Sequence, residues 1–127
     1  MILVDTAIWL DHLRRGEPRL AELLDHGAVL MHPFVLGEIA CGELKDRTEM
    51  LQLLKELPRT QVASSDEALA YIERYRLYNK GIGWVEANLL ASVEMTTGAR
   101  LWTRHRVLNS VAVSLGLASK AIGRRPA

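Results

Sequence analysis

Four side chains in this sequence stand where chemistry could be done. They are Asp5, closing the apolar run "MILVD"; Glu38 in "HPFVLGEIACGEL"; Glu86 in "GIGWVEANLLAS"; and His105 in "ARLWTRHRVL". Three and four positions from Glu38 lie Phe34, Val35, Cys41 and Gly42, and at the same offsets Glu86 has Ile82, Gly83, Leu89 and Leu90. Helical periodicity therefore turns both glutamates toward the buried face. A carboxylate facing a core is costly unless an arginine pairs with it or a metal ion binds it. Either reading serves for each glutamate alone, and Asp5 alone could simply cap the helix that follows it. Taken together, three such acids favour a cation. Other acids occupy ordinary positions: Asp11 with Arg14 and Arg15, and Glu43 with Arg47, are surface pairs worth about 0.5 kcal/mol or less. Asp66 and Glu67 suit the positive end of a helix dipole.

Positioning these residues requires a parallel sheet. "MILVD" and "RLWT" read as short strands buried on both faces, "AVLMH" as another, and "TQVA" as a weak one. Between them fall helical patterns: "TAIWLDHLRRG" and "EPRLAELLDHG", each stopped by glycine, "PFVLGEIACGEL" opened by Pro33, and "DRTEMLQLLKEL" ended by Pro58. Further on come "DEALAYIERYRLYNKG" with Ser65 as its expected N-cap, "WVEANLLASVEMTTG", and the helix around "VLNSVAVSLG". Such alternation implies α/β architecture, with a central, mostly parallel sheet flanked by helices. Ligands of these sheets gather beyond the carboxyl ends of the strands, which is where Asp5 and His105 fall.

At 127 residues the chain fits one domain, 1–127, with a loose basic tail from about residue 118. Its 49% hydrophobic and 24% charged residues are those of a soluble globular protein, and a net charge of +1 announces no bulk nucleic-acid affinity. The single cysteine, Cys41, cannot form an internal disulfide and is expected as a small core side chain. No secretion-signal layout opens the chain and no apolar run nears the ~18 residues of a membrane span, so a cytoplasmic location without membrane contact is expected. His12, His26 and His32 have no partner at ligand spacing and are expected in ordinary polar roles, while Trp9 and Trp84 are expected to pack in a core or dimer face.

"MILVDTAIWLDHLR", "HPFVLGEIACGEL", "GIGWVEANLLAS" and "ARLWTRHRVL" together resemble the VapC-type toxins of the PIN-domain ribonucleases, in order and spacing over nearly the whole chain. The resemblance implies a three-layer α/β/α PIN-like fold. It also implies a site where Asp5, Glu38, Glu86 and His105 surround one or two Mg2+ or Mn2+ ions, and where Thr103, with Thr6 as a further candidate, orients ligands or a water. Two positions depart from the pattern, since Glu86 and His105 each stand where the family has aspartate. Asn88 likewise replaces a common histidine. His105 admits three readings: a metal ligand, a hydrogen-bond donor to phosphate or to bound water, or an inert residue. With three carboxylates instead of four the site should hold Mg2+ more weakly, and an imidazole ligand would bias it toward Mn2+.

The implied activity is metal-dependent hydrolysis of RNA phosphodiesters by the toxin of a type II toxin–antitoxin system. Arg104 and Arg106 would contact phosphate, with Arg100, Lys120, Arg124 and Arg125 as a possible extension; each is equally a solvated surface residue when taken alone. The implied partners are RNA, a VapB-like antitoxin and a second copy of the chain as homodimer. The alternative is a catalytically weak or inactive PIN-like module that dimerises and binds an antitoxin protein or RNA. Phosphotransfer folds fit poorly: Ala7 stands where a haloacid-dehalogenase-like phosphatase needs a second aspartate, and no G-K-[ST] follows "GIG".

Overall fold

The computed structural model describes residues 1–120. Its centre is a three-stranded parallel sheet in the order β2-β1-β3, formed by β1 (Ile2–Val4), β2 (Val29–Leu30) and β3 (Arg100–Trp102). Leu3 pairs with Leu30 on one side and with Leu101 on the other, and Val4 pairs with Trp102. The strands are continuous apolar runs because both of their faces are covered: Leu3, Val4 and Leu101 are fully buried. Each such side chain contributes about 1.5–3 kcal/mol by leaving water.

Parallel neighbours need long crossovers, and the helices supply them. From β1 the chain reaches β2 through α1 (Thr6–Arg15) and α2 (Pro18–Asp25). From β2 it crosses to β3 through α3 (Pro33–Ala40), α4 (Arg47–Lys55), α5 (Ser65–Tyr75) and α6 (Trp84–Met95), and α7 (Arg106–Ser114) follows β3. Seven helices thus flank the sheet among the described residues, the α/β/α arrangement expected from the alternation of elements. Trp9, Ile8, Val35, Ile39, Leu89 and Leu90 fill the space between helices and sheet. Helices α5 and α6 are further joined by Tyr71 and Tyr75, whose hydroxyls donate to the two oxygens of Glu94 at 3.1 and 3.3 Å. Burial, and then the Glu94 charge, push the Tyr71 phenol well above its ordinary range.

Four local expectations are corrected. "TQVA" is no strand: only Arg59 bridges to Met31, because the N–H groups of Gln61 and Ala63 are taken by the hydroxyls of Thr96 and Ser92 on the α6 side. The cap of α5 is Ser64 rather than Ser65, in a reciprocal box with Glu67. Cys41 is exposed, because α3 ends at Ala40 and the helical period that would have buried the thiol stops there. Residues 118 and 119, expected within a loose tail, are bonded to β3: Leu101 N–H donates to Leu117 O at 2.7 Å and Ser119 N–H to Leu101 O at 2.8 Å, so this segment lies parallel to the open edge of β3. Arg124 and Arg125 lie outside the described residues. The two tryptophans part company, Trp9 being buried and Trp84 exposed.

Candidate active site

From β1 the chain moves outward to β2 and later returns to place β3 on the other side of β1, so the connections diverge at the carboxyl end of β1. Such a switch in strand order opens a crevice above the sheet. Asp5 sits at that point, one residue beyond β1, with its backbone N–H bonded to Trp102 O of β3 at 2.9 Å. Its carboxylate does two things at once. Oδ1 accepts from Thr6 N–H at 2.8 Å as the N-cap of α1, and Oδ2 accepts from the Thr103 hydroxyl at 2.6 Å. Capping and site-building are therefore not alternatives for this residue.

Thr6 extends the connection. Its hydroxyl donates to Glu38 Oε1 at 2.5 Å, across the contact between α1 and α3. Thr103 extends it the other way, its oxygen accepting from His105 N–H at 3.0 Å. Glu38, Thr6, Asp5, Thr103 and His105 thus form one continuous hydrogen-bonded string, drawn from three separate stretches of chain. Thr103 is buried, Asp5 and Thr6 are half-buried, and Glu38 and His105 are exposed.

The inward-facing reading of the two glutamates is corrected by their surroundings. Glu38 is exposed, held through the Thr6 hydroxyl rather than turned into the core. Glu86 is half-buried and turns back on its own helix start, Oε1 accepting from Gly83 N–H at 2.7 Å. A Cβ at position 83 would lie 2.9 Å from that oxygen, so glycine there permits the bond. Among the described residues neither glutamate is ion-paired with an arginine. The loop before α6 reaches the start of α7, since a Cβ on Gly81 would stand 3.8 Å from Val107 Cγ1. His105 is itself the N-cap of α7, its Nδ1 accepting from Leu108 N–H at 3.1 Å.

Carboxylate oxygens suit a hard divalent ion, and Asp5 with Glu38 supplies two groups joined through one threonine. Among the described residues, however, no three His, Cys, Asp or Glu side chains converge closely enough to hold an ion as they stand. Glu86, the third acid expected there, is bonded instead to Gly83 N–H at the start of its own helix. The oxygen donors of Asp5 and Glu38 fit a divalent cation in kind.

Arg104 was expected at phosphate. Its guanidinium instead joins Asp11 on α1 and Glu17, whose other oxygen accepts from Arg19 N–H at the start of α2. Two carboxylates account for this arginine, so it anchors the turn 103–105 to the α1–α2 corner. Sequence reading missed Asp11 and Glu17 because it paired Asp11 with its helical neighbours, and of those only Arg15 approaches, at 3.5 Å. Arg106 is exposed and makes no ion pair among the described residues, while Arg100 bonds Ala99 O at 2.8 Å. Of the other histidines, His32 is fully buried: Nδ1 accepts from Phe34 N–H at 3.0 Å, which leaves Nε2–H to donate to Ser92 Oγ at 3.1 Å. Burial first, and the nearby Arg59 charge second, bring its pKa down to about 4.

Known proteins resemble this chain in both sequence and fold. No family model matches it. The ribonuclease VapC32 of Mycobacterium tuberculosis, in strains CDC 1551 / Oshkosh and ATCC 25618 / H37Rv, is 45% identical over 118 residues, covering 93% of this chain and 95% of the relative. Among solved structures, that of FitAB bound to an IR36 DNA fragment superposes with a TM-score of 0.59 at 16% identity, over 89% of this chain and 91% of that one, a likeness of fold. With an Asp-centred string at the switch point of a parallel sheet and a relative of this identity over nearly its full length, the chain belongs to the VapC-type toxins of the PIN-domain ribonuclease family.

Proposed function

We propose that this protein, read as a single PIN domain, is a divalent-metal-dependent endoribonuclease, the toxin of a type II toxin–antitoxin pair. The observation that supports this reading is the string Glu38–Thr6–Asp5–Thr103 at the carboxyl end of the central strand, which links two carboxylates through one threonine. Asp5, Glu38 and Glu86 would hold Mg2+ or Mn2+. The bound ion would neutralise charge on the phosphate and acidify the attacking water. The hydroxyls of Thr6 and Thr103 each donate to a carboxylate, which holds both acids in one orientation before substrate arrives. Arg106, exposed at the start of α7, is a cationic residue of this edge that would meet an RNA phosphate. The partners implied are RNA, a VapB-like antitoxin and a second copy of the chain; no helix among the described residues is long and apolar enough to cross a membrane, in keeping with work in the cytoplasm.

Purified protein, stripped of metal and given a panel of structured RNAs, should cleave only on addition of Mn2+ or Mg2+. Cleavage that persists in chelator would sink this reading. A second reading, a module that binds antitoxin or RNA without cutting, draws support from Glu86 and His105, both committed to helix caps. It predicts no cleavage with either ion, and recovery of cleavage in His105→Asp.

The two arginines should separate in the same assay. Arg106→Ala should reduce the salt slope of RNA binding by about 0.7, the share of one phosphate contact on a single strand. Arg104→Ala should leave that slope unchanged and lower kcat by about tenfold, as loss of a supporting group does. Freeing the guanidinium by Asp11→Asn with Glu17→Gln should reproduce the kcat loss. Tighter RNA binding in that double variant would return Arg104 to a phosphate role.

A further inference from the structure

His105 occupies a position from which a side chain could serve the site either by binding the ion or by touching the substrate, and its hydrogen bonding separates the two. The backbone N–H of Leu108 donates to Nδ1 at 3.1 Å, so that nitrogen presents a lone pair and carries no proton. A neutral imidazole has one ring proton, which is then on Nε2. Nε2–H is a donor and has no lone pair for a metal. For Nε2 to bind an ion, the proton would have to move to Nδ1 and face the Leu108 N–H, breaking the cap of α7 and setting two donors against each other. Meanwhile the ring is exposed, and Nε2 has no partner among the described residues. The backbone N–H of His105 is bonded to Thr103 Oγ1, and that hydroxyl donates to Asp5 Oδ2, so the backbone that carries the ring stands two hydrogen bonds from the central carboxylate.

Resting on the ribonuclease reading above, we infer that His105 is a substrate-binding residue and not a metal ligand: capping α7 through Nδ1, it presents Nε2–H to a phosphate oxygen of the RNA. The histidine thus supplies the phosphate with a neutral donor where a fourth carboxylate would have repelled it. The ion in turn is left to an all-oxygen set, which removes the reason to favour Mn2+ over Mg2+ that an imidazole ligand would have given.

Two variants keep the cap while changing the outward group. Serine and asparagine both serve as N-caps, so α7 should persist in each. His105→Ser has no outward donor of comparable reach, whereas His105→Asn caps with its carbonyl oxygen and keeps a side-chain N–H. Titration calorimetry with Mg2+ and Mn2+ in the absence of RNA should give affinities within about twofold of the unsubstituted protein for both variants, since no metal–ligand bond is lost. RNA cleavage by His105→Ser should fall by about ten- to a hundredfold in kcat/KM, the worth of a hydrogen bond to a charged group, and His105→Asn should recover part of that loss. Nitrogen-15 spectra of the unsubstituted ring should report the Nε2–H form both before and after Mg2+ is added.

A tenfold loss of metal affinity in either variant, or a change of tautomer on adding Mg2+, would make His105 a ligand and overturn the inference. Unchanged cleavage in His105→Ser would make it inert and overturn it as well. Failure of the unsubstituted protein to cut RNA with either ion would sink the ribonuclease reading itself, and the calorimetry and spectra would still distinguish ligand from donor.

Discussion

Asp5→Asn should lower RNA cleavage roughly thousandfold, about 4 kcal/mol of transition-state stabilisation, while leaving the protein folded. The asparagine carbonyl can still accept from Thr6 N–H, so the cap of α1 survives, and the Thr103 hydroxyl can reverse from donor to acceptor toward the new amide. What disappears is the charge at the centre of the string, while the bonds that tie Thr6 and the β3 turn to this position are kept. Calorimetric metal affinity should drop at least about tenfold in parallel, the size of loss that even a supporting group can produce. Circular dichroism and the melting temperature check the fold. Cleavage within about tenfold of the unsubstituted rate would leave the site without its centre, because a metal ligand is worth several kcal/mol.

Acid should weaken the fold through His32. Its pKa lies near 4 in the folded protein against an ordinary value of 6.5, so the folded state resists the proton that the unfolded chain accepts. Above pH 6.5 the ring is neutral in both states and contributes nothing to pH dependence. As pH falls from 6.5 toward 4, the unfolded chain gains a proton that the folded protein does not, and stability drops, by about 3 kcal/mol across the window. Below 4 both states are protonated and the loss is complete. Carboxylates add their own acid sensitivity, so the informative quantity is a difference. His32→Asn keeps an acceptor for Phe34 N–H and removes the titration, and its denaturant-measured stability should fall less steeply over this range. Parallel curves for the two proteins would mean that His32 is not the residue sensing acid. The same bonding explains why this histidine serves packing: each ring nitrogen is engaged, one by the start of α3 and the other by α6.

Much of the framework was legible because it depends on short-range pattern. β1, β3 and all seven helices appear where the apolar runs, prolines and glycines put them, often within a residue or two. Where the reading slipped, a long-range partner had replaced a local one. The N–H groups of Gln61 and Ala63 in "TQVA" found α6-side hydroxyls instead of a strand, and Ala118 and Ser119 found the open edge of β3 instead of solvent. Periodicity also misplaced Cys41, since a period predicts a face only as far as the helix continues.

By itself the sequence determined that the strands are buried, that they run parallel between helical crossovers, and that Asp5 and the His105 turn lie at their carboxyl ends. Those properties follow from side-chain hydrophobicity and from spacing along a single segment. The tertiary structure decided what each polar group meets: Thr6 joined to Glu38, Thr103 to Asp5, Arg104 to Asp11 and Glu17, and the imidazole of His105 to its own helix. A hydrogen bond is directional and short, so its partners are fixed only when distant segments pack within about 3 Å of each other.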